Sequence, residues 1–141
     1  MLLTADIGNT NITLGLFDGS ALIEEFRLAS DKDLSLEEYE VLLKTLFKQY
    51  DVKGCIIGSV VDELNKKFKT AVEKIFKLTP IFVNSTINTG VKISLKHPKE
   101  AGADRIANAC GAFMLYNKPC IVVDFGTATT YDLVTEDGRF V

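Results

Sequence analysis

The chain has 141 residues, of which 47% are apolar and 25% charged; this composition is ordinary for a folded globular domain and excludes a disordered or fibrous protein. A formal net charge of −3 provides no basic surface for nucleic acid, and no apolar run approaches the about 18 residues of a membrane span. The amino terminus lacks the basic segment of a secretion signal, and the three cysteines form no C-x-x-C pair. We therefore expect a cytoplasmic protein with free thiols and with neither nucleic-acid nor membrane partners.

The amino-terminal segment predicts a β-hairpin with an acidic turn. Asp6 lies near the end of an apolar strand, residues 8–11 are small and polar, and apolar alternation resumes at Ile12. Gly8 and Asn9 would allow positive φ in the turn. Asp6 could hold a cation or a metal-bound water, while the N–H groups of residues 8–11 and nearby threonine hydroxyls could face an anion. Taken alone, such a sequence is more often an ordinary hairpin turn than a phosphate loop.

The next segments predict alternating helices and strands. A third strand over residues 21–28 is followed by a capping box, Ser35 with Glu38, which begins an amphipathic helix. A buried strand within residues 52–61 leads to Asp62, which we expect to cap a second helix, and a short strand follows at residues 81–83. This order predicts an α/β fold with a mixed five-stranded sheet flanked by helices, the arrangement of the ribonuclease-H-like (actin-like ATPase) unit.

Residues 84–99 are less regular, with strand character at residues 91–95 and a lone histidine, His97, which is more often solvated than functional. A third helix begins at Gly102-Ala103-Asp104-Arg105. Two interpretations of this helix terminus remain open. Asp104 either caps the helix or complements its dipole, or it acts as a general base with Arg105 beside it to bind a carboxylate or phosphate.

A second acidic hairpin over residues 120–134 repeats the first. Asp124 and Gly126 stand where Asp6 and Gly8 stood, and each hairpin ends in an Asp-Gly pair suited to a type I′ turn. Internal similarity at this spacing indicates a duplicated unit. We predict a first ribonuclease-H-like domain over residues 1–117 and the incomplete start of a second over residues 118–141. The two turns would face each other across a cleft and hold a polyphosphate with its cation.

Three motifs carry a family resemblance: Asp6-Ile7-Gly8-Asn9-Thr10, Gly102-Ala103-Asp104-Arg105 and Asp124-Phe125-Gly126-Thr127-Ala128-Thr129-Thr130. In this order and spacing the chain resembles, over its whole length, the type III pantothenate kinases of the acetate kinase/sugar kinase/Hsc70/actin superfamily. The resemblance implies ATP-dependent phosphorylation of pantothenate on its terminal hydroxyl, the first step of coenzyme A synthesis. It also implies a homodimer that needs a divalent cation such as Mg²⁺ and a monovalent cation, K⁺ or NH₄⁺.

The resemblance also implies a role for each motif. The ATP phosphates would be bound by the first motif and its continuation, with Asp6 near the magnesium ion: Asp6, Ile7, Gly8, Asn9, Thr10, Asn11, Ile12 and Thr13. Thr127 would contact ATP, and Asp124 would bind the monovalent cation. Pantothenate would be contacted by Gly102, Ala103, Asp104 and Arg105, with Asp104 as the catalytic base that accepts the hydroxyl proton.

Two positions depart from the family pattern: Leu95 replaces an aromatic residue found in many members, and His97 replaces a frequent asparagine. The resemblance further implies that a polypeptide ending at Val141 lacks most of the family's second domain and is inactive alone. Two alternatives stay open beside a pantothenate kinase. One is a non-catalytic accessory or regulatory member of the family, and the other is a superfamily kinase for a different small molecule.

Overall fold

The computed structural model describes every residue from Met1 to Val141 and divides into two compact units, Met1–Phe82 and Val83–Val141. We expected a division after the third helix, at residue 117. In the structure that helix, α3 (Ala103–Tyr116), falls within the second unit because it packs against the hairpin that follows it. That residues 118–141 begin a duplicated domain stays a prediction.

The first unit is a mixed sheet with two helices. In chain order its elements are β1 (Leu2–Ile7), β2 (Asn11–Asp18), β3 (Ala21–Ala29), α1 (Leu36–Phe47), β4 (Gly54–Ser59), α2 (Asp62–Phe76) and β5 (Ile81–Phe82). The strand order is β3-β2-β1-β4-β5; the first three strands pair antiparallel, and β4 pairs parallel with both β1 and β5. The predicted mixed five-stranded sheet is confirmed.

The core of this unit lies between one face of the sheet and the two helices. On β1, Leu3, Ala5 and Ile7 are buried, and the β2 residues opposite them are buried too. This pattern follows from alternation, since every second side chain of a strand points to the same face. The helices bring their apolar stripes to the same core: Tyr39, Leu43 and Phe47 from α1, with Leu64, Phe68, Ala71 and Val72 from α2. The first acidic loop is therefore held by a well-packed hairpin.

The two helices of this unit begin differently. The capping box of α1 is confirmed: the Glu38 N–H donates to Ser35 Oγ at 3.2 Å, and the Ser35 N–H donates to Glu38 Oε2 at 2.7 Å. The prediction that Asp62 caps α2 is wrong, because Val61 occupies the N-cap position and Asp62 is the first helical residue. The Ser59 hydroxyl oxygen accepts the Val61 N–H at 3.1 Å and turns the chain ahead of the helix. Asp62 thus enters the first turn, where its charge complements the helix dipole.

The capping box gives a stability prediction. Replacing Ser35 with alanine removes the acceptor for the Glu38 N–H, and we expect the free energy of unfolding to fall by about 1 kcal/mol. Urea unfolding followed by far-UV circular dichroism measures the change. Ser20→Ala, in the exposed β2–β3 turn, is the matched control and should leave the midpoint nearly unchanged. Equal effects of the two substitutions would show that the box does not stabilise α1.

Neither Asp-Gly turn is of type I′, so that expectation is wrong. Type I′ requires positive φ at both central residues. In the β2–β3 turn the central residues are Gly19 and Ser20, and only Gly19 has positive φ, at 57°. The second turn is one residue longer, because Thr135 pairs with Arg139 and the Gly138 N–H donates to the Thr135 oxygen. Gly138, with φ of 73°, takes the left-handed position that follows the tight turn.

The second unit is a four-stranded sheet with one α-helix. Its elements are β6 (Lys92–Ile93), a short 3₁₀ helix (Pro98–Glu100), α3, β7 (Cys120–Phe125), β8 (Thr129–Val134) and β9 (Arg139–Phe140), and the strand order is β6-β9-β8-β7. The strand expected over residues 91–95 is confined to β6. Ile106 and Ala109 of α3 pack with Val134 and Phe140 in a small, fully buried core. None of the three α-helices combines the length and apolarity needed to cross a bilayer.

The two acidic hairpins bury opposite faces. Ile121, Val123 and Phe125 stand at the repeat positions of Leu3, Ala5 and Ile7, yet they are 67%, 40% and 82% exposed. The other face of β7, which carries Cys120, Val122 and Asp124, is turned inward, and its two apolar residues pack on the core shared with α3. In the first unit the covering helices follow the hairpin in sequence, whereas in the second unit the covering helix precedes it. The repeat in sequence is therefore not a repeat in packing.

All three cysteines are free thiols, as expected. Burial raises the pKa of Cys55 from its ordinary 9.0 to about 12, and burial also raises the pKa of Cys110. Because only the thiolate reacts, we expect iodoacetamide at about pH 8 to modify Cys55 about 10³-fold more slowly in the folded protein than in urea. Mass spectrometry of each cysteine measures the rates, and a similar rate in both states would contradict the burial. Because burial disfavours the Cys55 thiolate, the free energy of unfolding also depends on pH. The stability contributed by the buried neutral thiol is fully present below pH 9.0 and is lost as the pH rises through about 12.

Candidate functional site

The first acidic loop presents a few polar side chains on a rigid hairpin. Asp6 is exposed near the end of β1, opposite Thr13 of β2, and Asn9 and Thr10 are exposed in the loop. The side chains of Ile7 and Ile12, both predicted in the ATP site, are fully buried. Only the backbone of these two residues could therefore meet a nucleotide.

The loop is closed mainly through its carbonyl oxygens. The Ser30 N–H donates to Thr10 O at 2.9 Å, and the Ser30 hydroxyl donates to Gly8 O at 2.5 Å. The Gly8 N–H donates to Asn11 O at 2.9 Å, so the prediction that this N–H faces an anion is wrong. The N–H groups of Asn9 and Thr10 take no part in these closing bonds. Ser30 was missed by sequence reasoning because it lies in an unpatterned polar connection.

Glycine at position 8 has a steric reason other than the one expected. Neither Gly8 nor Asn9 has positive φ. A Cβ added at Gly8 would lie 3.2 Å from the backbone oxygen of Asn11, which is tighter than ordinary van der Waals contact. The close approach of the two backbone segments therefore favours glycine at this position.

The second acidic loop differs from the first in length and in its partners. Phe125 pairs with Thr129, whereas Ile7 pairs with Ile12, so this loop is one residue shorter. Asn108 of α3 donates from Nδ2 to Asp124 Oδ2 at 3.0 Å, a contact that sequence reasoning missed. Thr127, the predicted ATP contact, is exposed in the loop.

Asp124 has an unsatisfied polar neighbour. Thr130 lies directly opposite Asp124 in the β7–β8 ladder, and directly opposed residues place their Cβ atoms about 4.5–5.5 Å apart on one face. The Thr130 hydroxyl oxygen is buried and has no hydrogen-bond partner. A buried polar atom without a partner is uncommon and often marks a site for a water or an ion. Asp124 and Thr130 therefore form a pair of oxygen donors that could hold a cation.

The amino terminus of α3 carries the third motif. Gly102 is the N-cap and provides no side-chain cap, while Asp104 Oδ1 accepts the Arg105 N–H at 2.8 Å. Asp104 therefore satisfies one of the amide groups left open in the first turn, as the structural interpretation requires. Its second oxygen takes no part in that bond, so the catalytic interpretation also fits. The Ala103 side chain is buried, which leaves only its backbone to meet a ligand.

Arg105 already has a carboxylate partner. Its Nε donates to Asp132 Oδ1 at 3.0 Å and to Oδ2 at 3.2 Å, and its Nη2 donates to Oδ1. These bonds raise the pKa of the Arg105 guanidinium above its usual value. Asp132 is 1% exposed and was missed, although an acidic residue between the apolar residues of a strand was a signal for it.

The two positions that depart from the family pattern have structural surroundings in this unit. Leu95 is half-buried and packs against the core formed by Ile106, Val134 and Phe140. His97 is exposed and precedes the 3₁₀ helix. The exposure of His97 agrees with the expectation that it is solvated.

The structure offers few protein ligands for a metal ion. No group of three or more His, Cys, Asp or Glu side chains is placed to bind one. Magnesium in nucleotide sites usually keeps several waters and takes one or two carboxylates together with phosphate oxygens. An exposed carboxylate such as Asp6 fits that mode of binding, whereas a metal site built from protein ligands alone does not fit this chain.

A family model described as type III pantothenate kinase matches residues 2–141. Two curated relatives with that description, from Agathobacter rectalis and Roseiflexus sp., are each 42% identical over 146 residues that include all of this chain. The matches cover 56% and 57% of those relatives, so the chain spans a little over half of their length. A solved ROK family glucokinase from Streptomyces griseus has a TM-score of 0.54 at 17% identity, covering 98% of this chain and 47% of that one. That likeness shows a shared fold.

Proposed function

This chain belongs to the type III pantothenate kinase family, and from that premise we propose that it carries nucleotide-binding and acceptor-binding residues of an enzyme that phosphorylates pantothenate with ATP. The observation that carries the proposal is the family match over residues 2–141, which includes all three motifs. The product would be 4′-phosphopantothenate, at the first step of coenzyme A synthesis. We place the enzyme in the cytoplasm and expect it to be a homodimer.

The nucleotide would be held mainly by backbone groups and by charge. The N–H groups of Asn9 and Thr10, with the Thr10 hydroxyl, would donate to the phosphates, since none of the three takes part in the bonds that close the loop. Asp6 would bind Mg²⁺ through one carboxylate, with nucleotide phosphates completing the coordination. Thr127 would add a contact to ATP from the second loop. Phosphoryl transfer needs in-line positioning and charge neutralisation above all, and these groups would contribute by binding the phosphates and neutralising their charge.

The acceptor would bind at the amino terminus of α3. Asp104 Oδ1 is fixed by the Arg105 N–H, which leaves Oδ2 to accept the proton of the pantothenate hydroxyl. The hydroxyl oxygen would attack the γ-phosphorus, and the bond from the γ-phosphorus to the β–γ bridging oxygen would break, releasing ADP. Gly102 and Ala103 would contact pantothenate through their backbone. Arg105 would contact it through the part of the guanidinium that Asp132 does not occupy.

A monovalent cation, K⁺ or NH₄⁺, would be held by Asp124 and Thr130. The fit rests on the buried Thr130 hydroxyl oxygen, which has no protein partner and lies opposite the Asp124 carboxylate. When bound, the cation would supply positive charge that offsets the negative charge of the nucleotide phosphates. Asn108 orients the carboxylate through its hydrogen bond to Oδ2.

The test measures ADP formation with ATP, Mg²⁺, K⁺ and pantothenate. Two proteins are assayed: the 141-residue chain, and a chimaera in which the chain replaces the matching part of a curated relative described above. We expect pantothenate-dependent ADP formation by the chimaera at a rate well above the blank without pantothenate. A chimaera that melts cooperatively but forms no ADP would overturn the proposal and favour a non-catalytic member of the family. ADP formation with a sugar or another small acid, and not with pantothenate, would favour a different small-molecule kinase.

A further inference from the structure

Asp132 is the one charged residue between Met1 and Val141 that is fully buried, at 1% exposure. It lies on β8 opposite Val122 of β7, on the face of the hairpin that is turned towards α3. A buried carboxylate costs free energy unless a charged partner and hydrogen bonds compensate for it. An apolar residue would pack this core without that cost. The position therefore calls for a reason beyond packing.

The compensating partner is Arg105, in the first turn of α3. The guanidinium donates through Nε and Nη2 to the carboxylate, and its carbon lies 5.6 Å from the centre of the buried Phe140 ring. Asp132 therefore contacts the edge of the guanidinium plane, and the Phe140 ring lies against its face. Arginine at such a site has its orientation fixed, because a planar fork and a planar carboxylate fit together in one way.

Asp132 occupies only one of the two forks of the guanidinium. An arginine side chain has five N–H donors, and the Nε–Nη2 edge uses two of them here. Of the three remaining hydrogens, one on Nη1 and one on Nη2 point in the same direction and form another fork at the end of the group. The Arg105 side chain is 34% exposed, so part of it is accessible to a planar anion from solution.

Arg105 is also connected to Asp104. The Arg105 N–H donates to Asp104 Oδ1. Arg105 therefore contacts Asp132 through its side chain and the Asp104 carboxylate through its backbone. One turn further along α3, Asn108 makes the second polar contact to the hairpin, with Asp124. The first two turns of α3 are therefore anchored to β8 by a charged pair and to β7 by a neutral donor.

We propose that Asp132 is a positioning residue for the acceptor: it orients Arg105 so that the free fork binds the acceptor's carboxylate, and it steadies the turn that presents Asp104. This inference rests on the proposed function. Asp132 itself does not touch the acceptor. Its loss should therefore affect acceptor binding first and leave nucleotide binding nearly unchanged.

The chain contains a matched control. Arg139 Nε donates to Asp137 at 3.0 and 2.8 Å, which is the same type of contact on the surface of the same unit. The two side chains of that pair are 47% and 62% exposed. Asp137→Asn therefore removes the same charge from a similar pair without any expected effect on the acceptor.

The test compares Asp132→Asn with Asp137→Asn, each introduced into the chimaera of the ADP assay. We expect Asp132→Asn to raise KM for pantothenate about tenfold or more and to change KM for ATP by less than about twofold, while Asp137→Asn changes neither. The NMR signal of the Arg105 Nε–H, assigned with Arg105→Lys, should lose its protection from exchange in Asp132→Asn only. An equal rise of both KM values, or none, would overturn the inference.

Two further outcomes are separable. If Asp132→Asn does not melt cooperatively, Arg105→Lys replaces it, because lysine keeps the charge and loses the fork; an unchanged KM for pantothenate then overturns the inference. If the unsubstituted protein forms no ADP with pantothenate, the proposed function fails first. The exchange protection of Arg105 would still be expected in that case, so the two failures are distinguished.

Discussion

In the chimaera proposed for the ADP assay, replacing Asp104 with asparagine is expected to lower kcat for pantothenate phosphorylation by about 10²–10⁴-fold, the usual contribution of a general base. Asparagine keeps an oxygen that can accept the Arg105 N–H, so the first turn of α3 should remain closed. The change therefore removes the proton acceptor and leaves the local structure in place. Steady-state ADP formation measures kcat, and thermal unfolding measures the stability of the variant.

The matched control is Asp62→Asn, which removes a carboxylate from the first turn of α2. Both substitutions should cost a similar, small amount of stability, about 0.3–1 kcal/mol, because both carboxylates complement a helix dipole. Only the Asp104 variant should lose activity. Retained turnover in that variant would show that Asp104 serves the helix terminus alone, and the structural interpretation would then be the correct one.

Replacing Phe68 with alanine is expected to lower the free energy of unfolding of the first unit by about 3–5 kcal/mol. The Phe68 ring is fully buried and meets the Tyr39 ring edge-on, with centroids 5.9 Å apart. The loss combines apolar surface returned to water with the cavity that remains between α1 and α2. Amide hydrogen exchange measures this loss for each unit separately.

The same substitution at Phe125 is the control for this experiment. Phe125 is 82% exposed at the end of β7, so its removal should change stability by no more than about 0.5 kcal/mol. The comparison also tests the difference between the two hairpins, since Phe125 stands at the repeat position of the buried Ile7. A loss at Phe125 as large as that at Phe68 would mean that this face of β7 is covered in solution.

Local features of the fold could be predicted from sequence because their causes are local. The capping box of α1 involves residues three apart, and the mixed character of the sheet follows from the succession of strands and helices. The N-cap prediction for α2 was wrong because a neighbouring residue turns the chain before Asp62. Asp62 has the chemistry of an N-cap, but Ser59 turns the chain earlier and moves Asp62 into the helix.

The candidate site was only partly predictable. The three motifs were located by residue type and spacing, and the family match includes them all. The partners of those motifs were not located: Ser30 for the first loop, Asn108 for Asp124, and Asp132 for Arg105. Each partner is distant in sequence from the residue it contacts. No periodicity or spacing rule joins such residues before the chain is folded.

The sequence by itself determined the strands, the helices, the two acidic turns and the family. The tertiary structure decided which face of each hairpin is buried. Alternation with a period of two identifies both faces of a strand, but the face that becomes the core is the one that a helix covers. In the first unit the covering helices, α1 and α2, follow the hairpin, whereas in the second unit the covering helix, α3, precedes it. Nearly the same strand pattern therefore buries Ile7 in one unit and exposes Phe125 in the other.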